Sequence, residues 1–164
     1  MHFSKAYPCT SSGPVSRYAC RVECERVSPF RVFLYAGGFS EDHNIVIGES
    51  APVWFDPQAP DEAALWESFD ALSTFGVRML RPDSGEWIEI SVRGRPHVLR
   101  TAQSEIGPPL GPPYSNELVD GTIVDICGVS FIYQSPVTMA ANLKQQVAFD
   151  FVFIITSPMA SIIN

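Results

Sequence analysis

Glycine and proline punctuation limits what this chain can fold into more than any other feature. Eleven glycines and fourteen prolines are spread through 164 residues. Proline breaks a helix interior and glycine weakens it, so the chain is cut into pieces better suited to strands and turns than to long helices. Between the breaks the apolar residues alternate with period two, the pattern of half-buried strands.

Segment 18–26 alternates Tyr18, Cys20, Val22 and Cys24 against Ala19, Arg21, Glu23 and Glu25. The run Val32-Phe33-Leu34-Tyr35 follows after the short connection Val27-Ser28-Pro29-Phe30, so the two segments are expected to form a hairpin. Further strands are expected at 44–48, 77–80, 87–92, 96–100, 122–127 and 129–133, the last two joined at Gly128. Ile88, Ile90 and Val92 mark one face of the clearest alternation. Some eight short strands with frequent loops define an all-β sandwich or barrel. Two segments have helical character: one beginning at Pro60-Asp61-Glu62 with Leu65, Trp66 and Phe69, and one at 138–148. The proline-rich segment 106–114 is expected to be an exposed loop, a possible polyproline ligand.

Composition narrows the function. A net charge of −7 without a basic block argues against nucleic acid as a partner. The longest apolar run, 147–156, is interrupted by Asp150 and falls short of the roughly 20 residues that span a bilayer, so no membrane span is expected. The first residues lack the layout of a signal peptide. Cys9, Cys20, Cys24 and Cys127 show no disulfide framework; within one strand Cys20 and Cys24 would stand roughly 13 Å apart. A reduced cytosolic or nuclear setting is expected from the cysteines, with the cytoplasm as the assigned location.

Catalytic constellations are missing. There is no phosphate-binding glycine loop, nucleophile elbow or Cys/His cluster at metal spacing, and His2, His43 and His97 are isolated, the last two read as exposed loop histidines. The acid pairs Glu41-Asp42 and Asp61-Glu62 read as solvated. Binding has more support. Ser16-Arg17 and Ser73-Thr74 precede apolar strands, and a guanidinium fork with short hydroxyl donors at strand ends suits a phosphate or an extended peptide.

Four blocks carry a resemblance: Val15-Ser16-Arg17-Tyr18-Ala19-Cys20-Arg21-Val22-Glu23-Cys24-Glu25-Arg26, Tyr35-Ala36-Gly37-Gly38-Phe39 with Asn44-Ile45-Val46-Ile47-Gly48-Glu49, Trp87-Ile88-Glu89-Ile90-Ser91-Val92, and 118–128. In this order they resemble the Pellino family of ubiquitin-protein ligases. The resemblance implies a forkhead-associated (FHA) β-sandwich, incomplete at the N-terminus, with one or two short helices in insertions or the tail. It divides the chain into a non-matching segment 1–13, a partial FHA-like domain 14–134 and a divergent tail 135–164. By the same resemblance, Ser16, with Arg17 beside it, matches the phosphate-contacting serine, and Thr74 the threonine of the second peptide-binding loop. The implied function is phosphothreonine-dependent recruitment of kinases and adaptors of Toll/interleukin-receptor signalling for polyubiquitination.

Two departures from the family pattern matter. Where the family has Thr-Asn-Gly, this chain has Thr74-Phe75-Gly76. Phe75 offers neither the donor nor the acceptor of the asparagine amide, and losing such a partner typically costs about 1–3 kcal/mol. No Cys or His follows residue 134, so the family's RING-like zinc site is not expected in this chain, and no catalytic residue, metal or other cofactor is assigned. A ubiquitin-conjugating enzyme is expected as a partner only in a full-length form. The alternative is a ligase-dead decoy that competes with a full-length relative. Trp54, Phe55 and Trp66 are expected to pack within an inserted loop region.

Overall fold

The computed structural model describes residues 3–4, 15–55 and 69–145. Thirteen short strands and a single helix are present among them: β1 (Phe3–Ser4), β2 (Cys20–Cys24), β3 (Val32–Ala36), β4 (Gly38–Phe39), β5 (Ile45–Val46), β6 (Val53–Phe55), β7 (Phe69–Ala71), β8 (Val77–Leu80), β9 (Trp87–Ile90), β10 (Pro96–Val98), β11 (Glu117–Leu118), β12 (Ile123–Ile126), β13 (Val129–Ile132) and α1 (Pro136–Gln145). The helix foreseen from Pro60 lies outside the described residues up to residue 68, Trp66 included, and its Phe69 is in strand β7, paired with Phe55 on β6, instead of in a helix.

Two sheets enclose the core. The larger runs β10-β9-β8-β12-β13, entirely antiparallel; the smaller runs β11-β3-β2. The expected hairpin of β2 and β3 is there, in register from Cys20 opposite Ala36 to Cys24 opposite Val32. Between the sheets lie Leu34 and Ala36 from the smaller one and Val77, Met79, Ile88, Ile90, Val124 and Ile126 from the larger, all buried. Burying a side chain of this size contributes about 1.5–3 kcal/mol. A ribbon of β1-β5-β4 and the hairpin β6-β7 complete an open, all-β sandwich.

Directly paired residues in antiparallel strands share a face. One row across the larger sheet is therefore polar throughout: His97, Glu89, Arg78, Asp125 and Ser130 stand opposite one another on β10, β9, β8, β12 and β13. At the β9 and β10 end this face is covered. Glu89 is 0% and His97 2% exposed. The sequence expectation of an exposed loop histidine at 97 is thus corrected: His97 sits in mid-strand, its Nδ1 2.8 Å from the Gly107 carbonyl and its ring edge-on to Trp54.

The proline-rich segment is a mostly exposed loop, as expected. It runs beside β10 instead of standing free, with Val98 N–H donating to the Pro108 carbonyl, Leu110 N–H donating to the Pro96 carbonyl, and Gly107 buried. Prolines lack the N–H but keep the carbonyl, and the non-proline residues supply the donors. Phe55, expected to be packed, is exposed, with its ring edge-on to Phe69 across β6 and β7; Trp54 is half-buried. Helix α1 starts two residues earlier than the sequence expectation. Ser135 is its N-cap, Oγ accepting from Thr138 N–H, and Pro136 takes the first helical position, where a missing N–H costs nothing. No helix among the described residues is long and apolar enough to cross a membrane.

Candidate phosphopeptide-binding site

The first candidate loop is built on a pair of glycines. Tyr18 and Ala19 are buried, and their carbonyls accept from Gly38 N–H and Gly37 N–H. A Cβ on Gly38 would lie 2.9 Å from the Tyr18 Cα, and Gly37 has φ +71° with Ile45 2.7 Å from its Cβ position. Only glycine lets the two backbones approach this closely. Arg21 fixes the same corner, donating to the carbonyls of Ala36, Gly37 and Val92 while lying over the rings of Tyr35 and Phe39.

On that base Ser16 and Arg17 face outward. The Ser16 Oγ accepts from Tyr18 N–H at 3.2 Å, which leaves its own proton available to an anion. Arg17 lies over the Tyr18 ring, 4.6 Å from its centroid, and 3.6 Å from Glu41, both side chains exposed. Such an exposed pair contributes little, and a phosphate can displace the carboxylate at small cost.

The second loop, residues 72–76, hangs from the other member of the β4-β5 ribbon. Thr74 N–H and Thr74 Oγ1–H both donate to the Ile47 carbonyl, at 2.8 and 3.2 Å. The Thr74 hydroxyl is buried and its proton committed, so in this geometry it anchors the loop and can only accept from a ligand. Gly76 N–H closes a turn on the Ser73 carbonyl, with Gly76 at φ +78°. Phe75, at the tip, is 59% exposed. The two loops are thus joined through the ribbon: Ser16 and Arg17 flank β4, and Thr74 flanks the end of β5. Among the described residues, no hydrogen bond, ion pair or ring contact links them directly.

Sequence reasoning missed the support beneath the second loop. Arg100 Nη2 donates to the Ser73 carbonyl at 2.6 Å and the Thr74 carbonyl at 3.1 Å, and lies 3.0 Å from Glu89 Oε1. Its side chain is 5% exposed. Burial pushes the Glu89 carboxyl above the ordinary range, opposed by the charge of Arg100. Asp70, beside the loop, is fully buried; its carboxylate accepts from Ser91 Oγ, Ala71 N–H and Arg93 N–H, and burial pushes its pKa up as well. In the sequence Glu89 looks like the ordinary polar position of an alternating strand, and Asp70 follows a segment of helical character. No group of three or more His, Cys, Asp or Glu suited to a metal is present among the described residues.

A sandwich of this topology, with its two candidate loops hung on the β4-β5 ribbon, is an FHA-type domain: the family model described as "Pellino, FHA domain" matches residues 4–148. That span is wider at both ends than the segment carrying the four motif blocks. The chain is 35% identical over 147 residues to mouse E3 ubiquitin-protein ligase pellino homolog 3, covering 83% of this chain and 31% of the relative. It is 32% identical over 130 residues to human pellino homolog 2, and 33% identical over 132 residues to Drosophila Protein pellino, in each case 74% of this chain and 29% of the relative. The chain belongs to the Pellino family. It spans less than a third of the length of these relatives.

Proposed function

We propose that the chain is the substrate-recognition part of a Pellino-type E3 ubiquitin ligase, binding phosphothreonine-containing proteins. In a full-length ligase it delivers kinases and adaptors of Toll/interleukin-receptor innate immune signalling for polyubiquitination in the cytoplasm. No residue of this chain is assigned a catalytic role.

The observation that carries the reading is the Ser16-Arg17 corner. A hydroxyl whose proton has no acceptor among the described residues and a guanidinium held by the Tyr18 ring and a weak exposed carboxylate sit together on a backbone fixed by Gly37, Gly38 and Arg21. Phosphate oxygens accept from Ser16 Oγ–H and from Arg17, whose fork matches their geometry. The chain is acidic overall, so recognition depends on this local pairing and not on long-range attraction. The peptide backbone then runs past the 72–76 loop, where Phe75 supplies apolar surface in place of an amide.

Calorimetric titration of the full chain with one peptide in phosphothreonine, phosphoserine and unphosphorylated forms tests the reading. The phosphorylated forms should bind selectively, and Ser16→Ala should weaken them about tenfold or more, the weight of a hydrogen bond to a charged group. Equal binding of phosphorylated and unphosphorylated peptides would overturn it.

A further inference from the structure

Beneath the 72–76 loop, of which only Phe75 is exposed, is an arrangement that the proposed phosphate-contacting residues do not explain. Arg100 leaves β10 at its end, turns its guanidinium inward and joins three partners: the carbonyls of Ser73 and Thr74 and the carboxylate of Glu89. Its other amino group donates to the Gln103 carbonyl at 3.0 Å, and Gln103 Nε2 reaches the Thr74 carbonyl at 3.4 Å. Both carbonyls of the loop that precede Phe75 are therefore tied to one segment, 100–103.

Glu89 completes the arrangement from below. Gly76 rests directly on it: a Cβ there would fall 2.5 Å from Glu89 Oε1. Arg78 and His97 flank Glu89 on the neighbouring strands, yet neither carboxylate oxygen makes a well-directed hydrogen bond. Arg100 supplies its close contacts, the guanidinium ion pair and the backbone amide, with the charges of Arg78 and His97 adding to them. Fully buried carboxylates with so few partners are costly. The charge holds Arg100 in the one orientation that reaches both loop carbonyls.

We propose that Arg100 is a positioning residue of the phosphopeptide site. Anchored by buried Glu89, it fixes the backbone of residues 73–76 and so sets where Phe75 meets the bound peptide. The inference rests on the phosphopeptide reading above. Arg100 touches no ligand; it acts through the loop. Lysine cannot substitute, because a single ammonium lacks the fork that addresses Glu89, two loop carbonyls and Gln103 together.

Removing Arg100 alone strands the Glu89 charge and is expected to destabilise the whole domain. The informative protein is therefore the full chain carrying Arg100→Met with Glu89→Gln, which removes both charges while keeping the volumes. Two readouts are taken: hydrogen exchange of the Thr74 and Gly76 amides, with Met79 and Val124 as core references, and phosphothreonine-peptide affinity beside the thermal midpoint. The expected result is a midpoint close to that of the parent, unchanged core exchange, and loop amides exchanging at least about tenfold faster, as for the loss of one or two hydrogen bonds. Affinity should fall about tenfold, mostly through faster dissociation. Arg100→Lys should show the same loosening in weaker form.

Unchanged exchange at Thr74 and Gly76 would overturn the positioning role, as would a loosened loop with undiminished affinity. Should the parent itself show no preference for the phosphorylated peptide, the phosphopeptide reading fails first and the role of Arg100 in it falls too. Parent binding separates the two failures.

Discussion

Replacing Phe75 with asparagine should strengthen phosphopeptide binding, and the size of the gain follows from the loop. Phe75 is more than half exposed, so removing its ring sacrifices little packing. The backbone on either side is held without its help, by the Thr74 bonds to Ile47, the Gly76 turn and Arg100. The loop therefore keeps its place, and an asparagine amide added at its tip presents one donor and one acceptor to an extended peptide. Each such bond contributes about 0.5–1.5 kcal/mol net, so the pair contributes about 1–3 kcal/mol, a gain of about 5- to 150-fold in Kd. Polarisation titrations of the parent and Phe75→Asn against phosphorylated and unphosphorylated peptides measure this directly. The increment should appear on both peptides, because it comes from the backbone and not from the phosphate. Combining it with Ser16→Ala should give additive changes, no direct contact linking the two loops among the described residues. A properly folded Phe75→Asn protein with unchanged or weaker affinity would mean that the peptide does not pass the 72–76 loop, and the geometry of the site would have to be redrawn.

Other perturbations probe the frame of the site. Gly76→Ala should destabilise the domain by about 2 kcal/mol in urea unfolding, since a Cβ is strained at positive φ and meets Glu89. Asp70 and Glu89 both have carboxyls raised by burial, so the folded state holds their protons more tightly than the unfolded one; their contribution to stability is full below the unfolded value of about 4 and is lost as pH rises through the raised folded values. Asp70→Asn should accordingly flatten the fall in thermal midpoint above pH 4, and an unchanged profile would count against the burial argument. Asp120→Ala should lower the helical circular dichroism of α1 without moving the midpoint of the sheet core, because its carboxylate takes the Ser135 N–H, Ser135 Oγ–H and Thr138 Oγ1–H at the start of that helix.

Local signals carried the strands well. Alternation in 87–92 places Ile88, Ile90 and Val92 in the core, and Gly128, at φ +80°, turns β12 into β13 as its position suggests. The same alternation misleads about Glu89, and His97, read as an exposed loop histidine, is buried beside it. A polar residue between apolar ones reads as solvent-facing, but the outer face here is covered by residues 73–76 and by Trp54, which are far away in sequence. The proline-rich segment is legible as an exposed loop, but its pairing with β10 depends on tertiary placement and has no local signal. In the site, Ser16, Arg17 and Thr74 were reached through hydroxyl and guanidinium chemistry and the family resemblance. That the Thr74 proton is committed to Ile47, and that Arg100 lies under the loop, are facts of three-dimensional arrangement with no local signature.

The row of His97, Glu89, Arg78, Asp125 and Ser130 also bears on how reliably the sheet assembles. Short strands of three or four residues offer few backbone bonds, and aliphatic side chains such as Ile88, Ile90, Met79 and Val124 are nearly interchangeable as neighbours. Slipping β9 by a single residue would turn Glu89 into the aliphatic layer and push isoleucines out against Arg78 and His97. That mispaired sheet would bury a lone charge, a far larger penalty than any aliphatic mismatch. The polar row therefore proofreads strand alignment: it excludes wrong registers that the apolar residues alone would tolerate.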